Sequence, residues 1–246
     1  MSKKIVVSNY NWDLNWLKIS YEHGFSAKDI VIYDSSNDLK DWSHIGKTIQ
    51  VPNYGGNQYG ILKFIVDNYD NLPDNTIFIK GNILFHEKIR EKTYSTLDRF
   101  VETLHSVELF SCWVDQYLLV DDHRHTEFTP YEILKDGRLI QPSSHYLGGI
   151  SSNYKYFCDH RDLLNWCFEN PPKSDPIEFI PTSNFSVPKE NILKYSKKLY
   201  EKLLSILDYE QSYLDFFVKQ NLPPAELHVL ERIFYFIWSK NLKEKE

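Results

Sequence analysis

Two hydrophobic rhythms alternate along the first 82 residues. Short apolar runs that stop at polar residues mark strands, and longer segments with apolar positions three and four apart mark helices. KKIVVSNYN predicts a strand from Lys4 to Ser8. In DLNWLKISYEHG, Leu14, Leu17 and Tyr21 form an apolar stripe behind Asp13, a capping residue, and Gly24 ends the predicted helix. KDIVIYDSSND predicts a second strand closing on Asp34-Ser35-Ser36, and KTIQVPNYGGN a short strand and a glycine-rich turn. In NQYGILKFIVDNYDNLP, Ile61, Ile65 and Tyr69 share one helical face, with Leu62 and Val66 beside them. NTIFIKGN is then a strand. The order β-α-β-(β)-α-β predicts an α/β fold with a mainly parallel central sheet and helices on both faces.

The pattern beyond residue 85 is less regular. TYSTLDRFVETLHS reads as a helix, VELFSCWVDQYLLVDD as one or two strands, and HRHTEFTPYEILKDGRLIQPSSHYLGG as an irregular or hairpin stretch. HRDLLNWCFEN is a short helix stopped by Pro171-Pro172, and IEFIPTSNFSVPKENIL a strand and a return. LKYSKKLYEKLLSIL is amphipathic, and PPAELHVLERIFYFIWSK is a last helix with Pro224 suited to its first turn. No repeat, low-complexity tract or composition break marks a linker, so one domain is expected over 1–246.

Composition narrows the classes. A chain of 246 residues with 42% hydrophobic and 15% aromatic residues is globular rather than disordered. The aromatics either fill a core or offer platforms for sugars or bases. A net charge of −6 without a long basic run argues against nucleic acid as a partner, though not against a single nucleotide. Cys112, Cys158 and Cys167 lack C-x-x-C spacing, which fits free thiols, buried as small hydrophobes, in a reducing compartment. No run of 18 apolar residues and no signal-peptide core is present. The expectation is a soluble, cytoplasmic protein that is not transmembrane.

Ligands of open α/β sheets bind at the carboxyl ends of the strands. Here those ends carry Asn9-Tyr10-Asn11, Asp34 to Asn37, and Lys80-Gly81-Asn82. Turn chemistry alone accounts for each cluster separately; three clusters at one edge point to a site. In the last helix, Leu227, Leu230, Phe234, Ile237 and Trp238 form an apolar side, leaving His228, Glu231, Arg232 and Tyr235 on a narrow polar arc. Glu231, at the margin, is either a desolvated or cation-paired general base or part of a solvated strip. DDHRH, residues 121–125, reads as a metal cluster or as a solvated turn, with no second cluster of zinc-like spacing. His86 and His145 read as structural or exposed, and Gly148-Gly149 as a turn or a close approach to a ligand. NYGGN precedes a helix and suits phosphate, yet lacks both G-x-G-x-x-G and the P-loop pattern.

The run VPNYGGNQYGILKFIVDNYDNLPDNTIFIKGN resembles a family of uncharacterised proteins marked by a Pro-Asn-x-Gly turn, a helix, Tyr-Asp-Asn-Leu-Pro-Asp, and a strand ending near Gln-Gly. Pro52, Asn53, Gly55, Tyr69 to Asp74, Thr76, Phe78 and Gly81 match, and VVSNYNWDLNWL is similar to that family's opening. HVLERIFYFIW is similar to the final helix of capsule-type glycosyltransferases. The resemblance implies a GT-A-like fold, with a nucleotide-binding half over 1–85 and an acceptor half with the C-terminal helices over 86–246. It implies a glycosyltransferase that moves a sugar from a UDP-, GDP- or TDP-linked nucleotide sugar to a glycan or lipid-linked acceptor, in the cytoplasm or peripheral to a membrane, as in polysaccharide biosynthesis.

Under that resemblance Asn9, Asp34, Ser35, Asn53, Gly55, Lys80, Gly81 and Asn82 would bind the donor, and Glu231 with His228 would serve the acceptor. The sequence departs from the pattern at Gly56-Asn57, where Arg-Glu is usual, and at Lys80, where Gln is usual. GT-A enzymes also hold Mn2+ or Mg2+ through a D-x-D at this strand end, and Asn82 supplies no carboxylate. A lysine there would take over part of the metal's work. A catalytically inactive GT-A-like glycan- or protein-binding module is the alternative, and a nucleotidyltransferase, which wants carboxylates for two metals, is a third.

Overall fold

The computed structural model describes residues 1–38, 40–53, 56–84, 97–111, 132–133, 139–141, 160–171, 177–179, 183–208 and 225–245. Gly55, His86, Cys112, DDHRH, His145, Gly148-Gly149 and Cys158 lie outside them.

Strands β1 (Lys3–Asn9), β2 (Ile30–Asp34), β3 (Lys47–Gln50) and β4 (Asn75–Lys80) form where the apolar runs predict them. Helix α2 (Gly56–Asn68) joins β3 to β4. The stretch at 14–24 folds as a 3-10 turn, Asn15–Lys18, running into a single helical turn, α1 (Ile19–Glu22). Asp13 does not cap a long helix; its Oδ1 accepts from the amide and side chain of Asn15 at 2.9 and 2.8 Å. That local bond competes with helix propagation, and Gly24 ends the turn at φ +87°.

Further along come α3 (Leu97–His105), β5 (Phe110–Ser111), β6 (Glu132–Ile133), β7 (Leu139–Gln141), α4 (His160–Cys167), β8 (Phe168–Glu169) and β9 (Ile177–Phe179). They are followed by β10 (Phe185–Pro188), α5 (Lys189–Ile192), α6 (Lys197–Ser205), α7 (Ala225–Ser239) and β11 (Lys243–Glu244). The fold is α/β with a mainly parallel central sheet, in the order β3-β2-β1-β4-β10-β5. β1 runs parallel to β2 and to β4, and β2 parallel to β3, while β10 enters antiparallel to β4. Two small sheets, β6-β7-β9 and β8-β11, stand apart from it.

Both faces of the sheet are buried, which explains why its strands read as continuous apolar runs rather than alternating ones. Ile5, Val7, Ile32, Ile77 and Ile79 pack against Leu14, Leu17, Phe100 and Leu104 on one face. Val6, Tyr33 and Phe78 pack against Ile61, Ile65, Leu203 and Trp238 on the other. Trp238 is the hub of that second layer, with rings of Phe234, Phe78 and Phe185 at 5.2, 6.0 and 5.4 Å. No helix among the described residues is long and apolar enough to cross a membrane.

Candidate functional site

From β1 the chain steps outward to β2 and β3, then α2 carries it back to β4 on the opposite side of β1. This reversal opens a crevice beyond the carboxyl ends of β1 and β4, the usual place for a ligand in such sheets. A cavity of about 170 Å³ occupies it. β1 and its following turn contribute Ser8, Asn9, Tyr10 and Trp12; β2 contributes Tyr33 and the adjoining Ser35. The first turns of α2 contribute Gly56, Asn57 and Gly60, and the end of β4 contributes Lys80, Gly81 and Asn82.

Two glycines make the geometry possible. A Cβ on Gly60 would lie 2.3 Å from Ser8 Oγ, so a side chain there would have to turn the Ser8 hydroxyl away. A Cβ on Gly81 would lie 2.3 Å from Asn9 Oδ1 and 3.2 Å from Leu14 Cδ2. The Gly81 turn is pinned at both ends of its peptide unit. Its N–H donates to the Ser8 carbonyl at 2.9 Å, and its carbonyl accepts from Trp16 Nε1 at 3.0 Å. The Lys80 amide donates to Asn184 Oδ1 at 2.8 Å, and Asn184 is itself buried.

Asn9 is 3% exposed and forms one wall. Its Nδ2 donates to Asp34 Oδ1 and to the Trp12 carbonyl, both at 3.4 Å, while its Oδ1 has no hydrogen-bond partner. That assignment of the amide suits its neighbour, because the reverse would set oxygen against carboxylate. Asp34 is buried behind Asn9, and its Oδ1 also accepts from the amide and hydroxyl of Ser36. Ser35 bonds back to the Asn9 carbonyl through amide and hydroxyl, both at 3.0 Å, which ties the β1 and β2 ends together. The Tyr33 hydroxyl is also buried without a partner; burial first, and then the charge of Asp67, push its pKa up. It therefore stays protonated. Lys80, half-buried, is the charged residue of the lining, which contains no carboxylate among the described residues.

A family model matches residues 5–244, from β1 to β11, under the description "Protein of unknown function (DUF3431)". The chain belongs to that family. No curated protein and no solved structure matches the sequence. The match takes in every segment that lines the cavity.

Of the residues singled out in the sequence, Asn9, Ser35, Lys80, Gly81 and Asn82 meet around one cavity, with Asp34 directly behind Asn9. Asn53 is exposed and outside the lining. Glu231 is half-buried on α7, makes an interaction there, and is also outside the lining. His228 lies on the same helix, its side chain outside the described part. Sequence reasoning passed over Ser8, Trp12, Tyr33 and Gly60, and the supports Trp16 and Asn184, while Asn57 closed the NYGGN turn read as suited to phosphate. Gly60 alone carried a signal, since a glycine inside a helical pattern costs stability unless a close approach needs it.

A divalent cation of the kind GT-A enzymes use finds a poor fit at this turn. Asn82 supplies no carboxylate, an ammonium is two residues away, and the described residues hold no group of three or more His, Cys, Asp or Glu side chains suited to a metal.

Proposed function

We propose that this chain is a GT-A-like glycosyltransferase whose cavity takes the nucleoside diphosphate of a nucleotide sugar. One observation carries the reading: at the reversal of strand order, a lysine, the first turn of a helix and Asn9, whose buried amide oxygen is unpartnered, line one cavity. A helix N-terminus and an ammonium suit phosphate oxygens. An amide oxygen without a donor suits a ribose hydroxyl or a base N–H. Sugar transfer rests on the resemblance of the PNYG…YDNLPD stretch and of the last helix to sugar-transfer families.

In the reaction, a hydroxyl of a glycan or lipid-linked acceptor attacks the anomeric carbon. The new C–O bond forms as the bond to the diphosphate breaks, the acceptor proton passes to a base, and the nucleoside diphosphate departs. Glu231, half-buried on α7, is the base we assign, and His228, three positions earlier on the same helix, is assigned to the acceptor side with it.

A second reading is a binding module of the same fold without catalysis. The absence of a carboxylate from the described lining favours it. Calorimetric titration with UDP, GDP and TDP, followed by a search for slow hydrolysis of the matching nucleotide sugars, separates the two. Binding with slow release of free sugar supports the enzyme. Binding of a glycan with no response to any nucleotide overturns it in favour of the module.

A further inference from the structure

Resting on the nucleotide reading, we infer that the diphosphate is held by Lys80 and the first turn of α2 without a divalent cation. Three features of the cavity converge on this.

The first is charge. The end of β4 presents Lys80-Gly81-Asn82, and no described lining residue carries a negative charge. A divalent cation seated here would sit near an ammonium, with neutral oxygens as its protein ligands. Hard cations select the opposite arrangement. The ammonium, by contrast, complements a diphosphate directly.

The second is rigidity. The Lys80 amide is taken by Asn184, and the Gly81 peptide is fixed by Ser8 and Trp16. A Cβ at Gly81 would collide with Asn9 Oδ1. The backbone of the turn is therefore held in the form that places residue 80 in the cavity, where no described residue brings a carboxylate into the lining. The Lys80 side chain, half-buried, has no ion pair among the described residues.

The third is the helix. α2 runs for 13 residues and meets the cavity through Gly56, Asn57 and Gly60. Gly56 enters the helix at φ +52°, a conformation that suits glycine. The first amides of a helix have no partners within it and carry positive partial charge. Independently, Asn9 Oδ1, on a residue 3% exposed and lying over Gly81, lacks a donor. A single neutral amide oxygen is a poor metal site; enclosed against Gly81, it becomes an acceptor for a ligand hydroxyl or N–H once the Asn9 side chain turns toward the cavity. As the bond to the leaving diphosphate breaks, the charge gathering on its oxygens meets an ammonium and fixed amides in place of a metal.

The test is calorimetric titration of the full chain with UDP, GDP and TDP, each in EDTA and in Mg2+ or Mn2+, for the native protein, Lys80→Met and Lys80→Arg. Melting curves show that each variant is folded. For the nucleotide that binds, the expected affinity is the same within about twofold in EDTA and in metal. Lys80→Met should weaken it by roughly tenfold or more, and Lys80→Arg should retain most of it. Binding that appears only with metal overturns the inference and leaves the nucleotide reading standing. Metal-free binding that Lys80→Met leaves unchanged overturns it as well, because the lysine then does nothing. Binding by none of the three nucleotides in either buffer overturns both.

Discussion

Replacing Trp238 by alanine tests the packing on which α7 depends. The side chain is fully buried, stacks on Phe234 at 7° and on Phe78 at 12°, and meets Phe185 edge-on at 88°. Truncating an aromatic of this size in a core costs about 3–5 kcal/mol, transfer and cavity together. Its Nε1 also donates to the Tyr200 hydroxyl at 3.2 Å. Tyr200 keeps its own bond to the Ile192 carbonyl at 2.8 Å, so the lost bond adds no more than about 1 kcal/mol. The aromatic contacts are already counted in the burial, which leaves a loss of about 3–6 kcal/mol. For a chain of this length, each kcal/mol lowers Tm by about 2–4 °C, so a drop of roughly 6–24 °C is expected. Urea unfolding and thermal melts followed by circular dichroism measure it. Trp166→Ala is the control: that ring is 38% exposed, with Lys202 Nζ 4.1 Å from its centroid, and should cost less than about 1 kcal/mol. A Trp238→Ala loss below about 1 kcal/mol, or a Trp166→Ala loss of equal size, refutes the packing argument.

Gly81→Ala places a methyl 2.3 Å from Asn9 Oδ1 and should cost about 1–3 kcal/mol; an unchanged Tm would contradict the contact between these two walls of the cavity. Cys167 is buried, and burial pushes its thiol up to about 12. Peptide mapping after iodoacetamide treatment at pH 8 should find it unmodified in native protein and modified in urea; rapid native labelling would be the contrary result. Asp74 is held below its ordinary value of 3.8, chiefly because the Ser2 amide donates to it at 2.6 Å. A folded-state pKa below the unfolded one gives stability that is present above the unfolded value and lost as pH falls through the folded one. Asp74→Asn should therefore be less stable than native protein at pH 7, with the gap closing as pH falls below the ordinary value of 3.8. A gap that widens on acidification would contradict the assignment.

The elements up to Lys80 were legible because each side of the sheet is covered, so strands show as dense apolar runs and α2 as a clear stripe. What the pattern did not reveal depends on distant contacts. FSVP is four residues ending in proline, and nothing in it says that it enters the sheet beside β4, antiparallel to it. The Asn15–Lys18 turn departed from a helix because Asp13 bonds Asn15 locally, which an apolar stripe does not report. At the cavity, strand ends were readable because a parallel sheet gathers its carboxyl-end loops at one edge. Tyr33 was hidden inside an apolar strand, and Asn184 bonds to a residue 104 positions away. For Glu231, helical periodicity gave its place on α7 but not the direction in which that helix faces the crevice.

The neighbour of β4 on its outer side is a strand made long after it. Ser186 bonds Asn75 across 111 positions, and the Lys80 amide waits for Asn184. At about 5–20 residues per second, the interval between synthesising these partners is roughly 5–20 s. Throughout it the newly made β4 presents an unpaired, apolar edge of the kind that invites wrong partners. The lysine-bearing turn is completed by that same late arrival. The completed turn therefore marks a finished molecule: a chain interrupted before residue 184 carries all three strand-end clusters, yet lacks the side chain that holds the Lys80 amide.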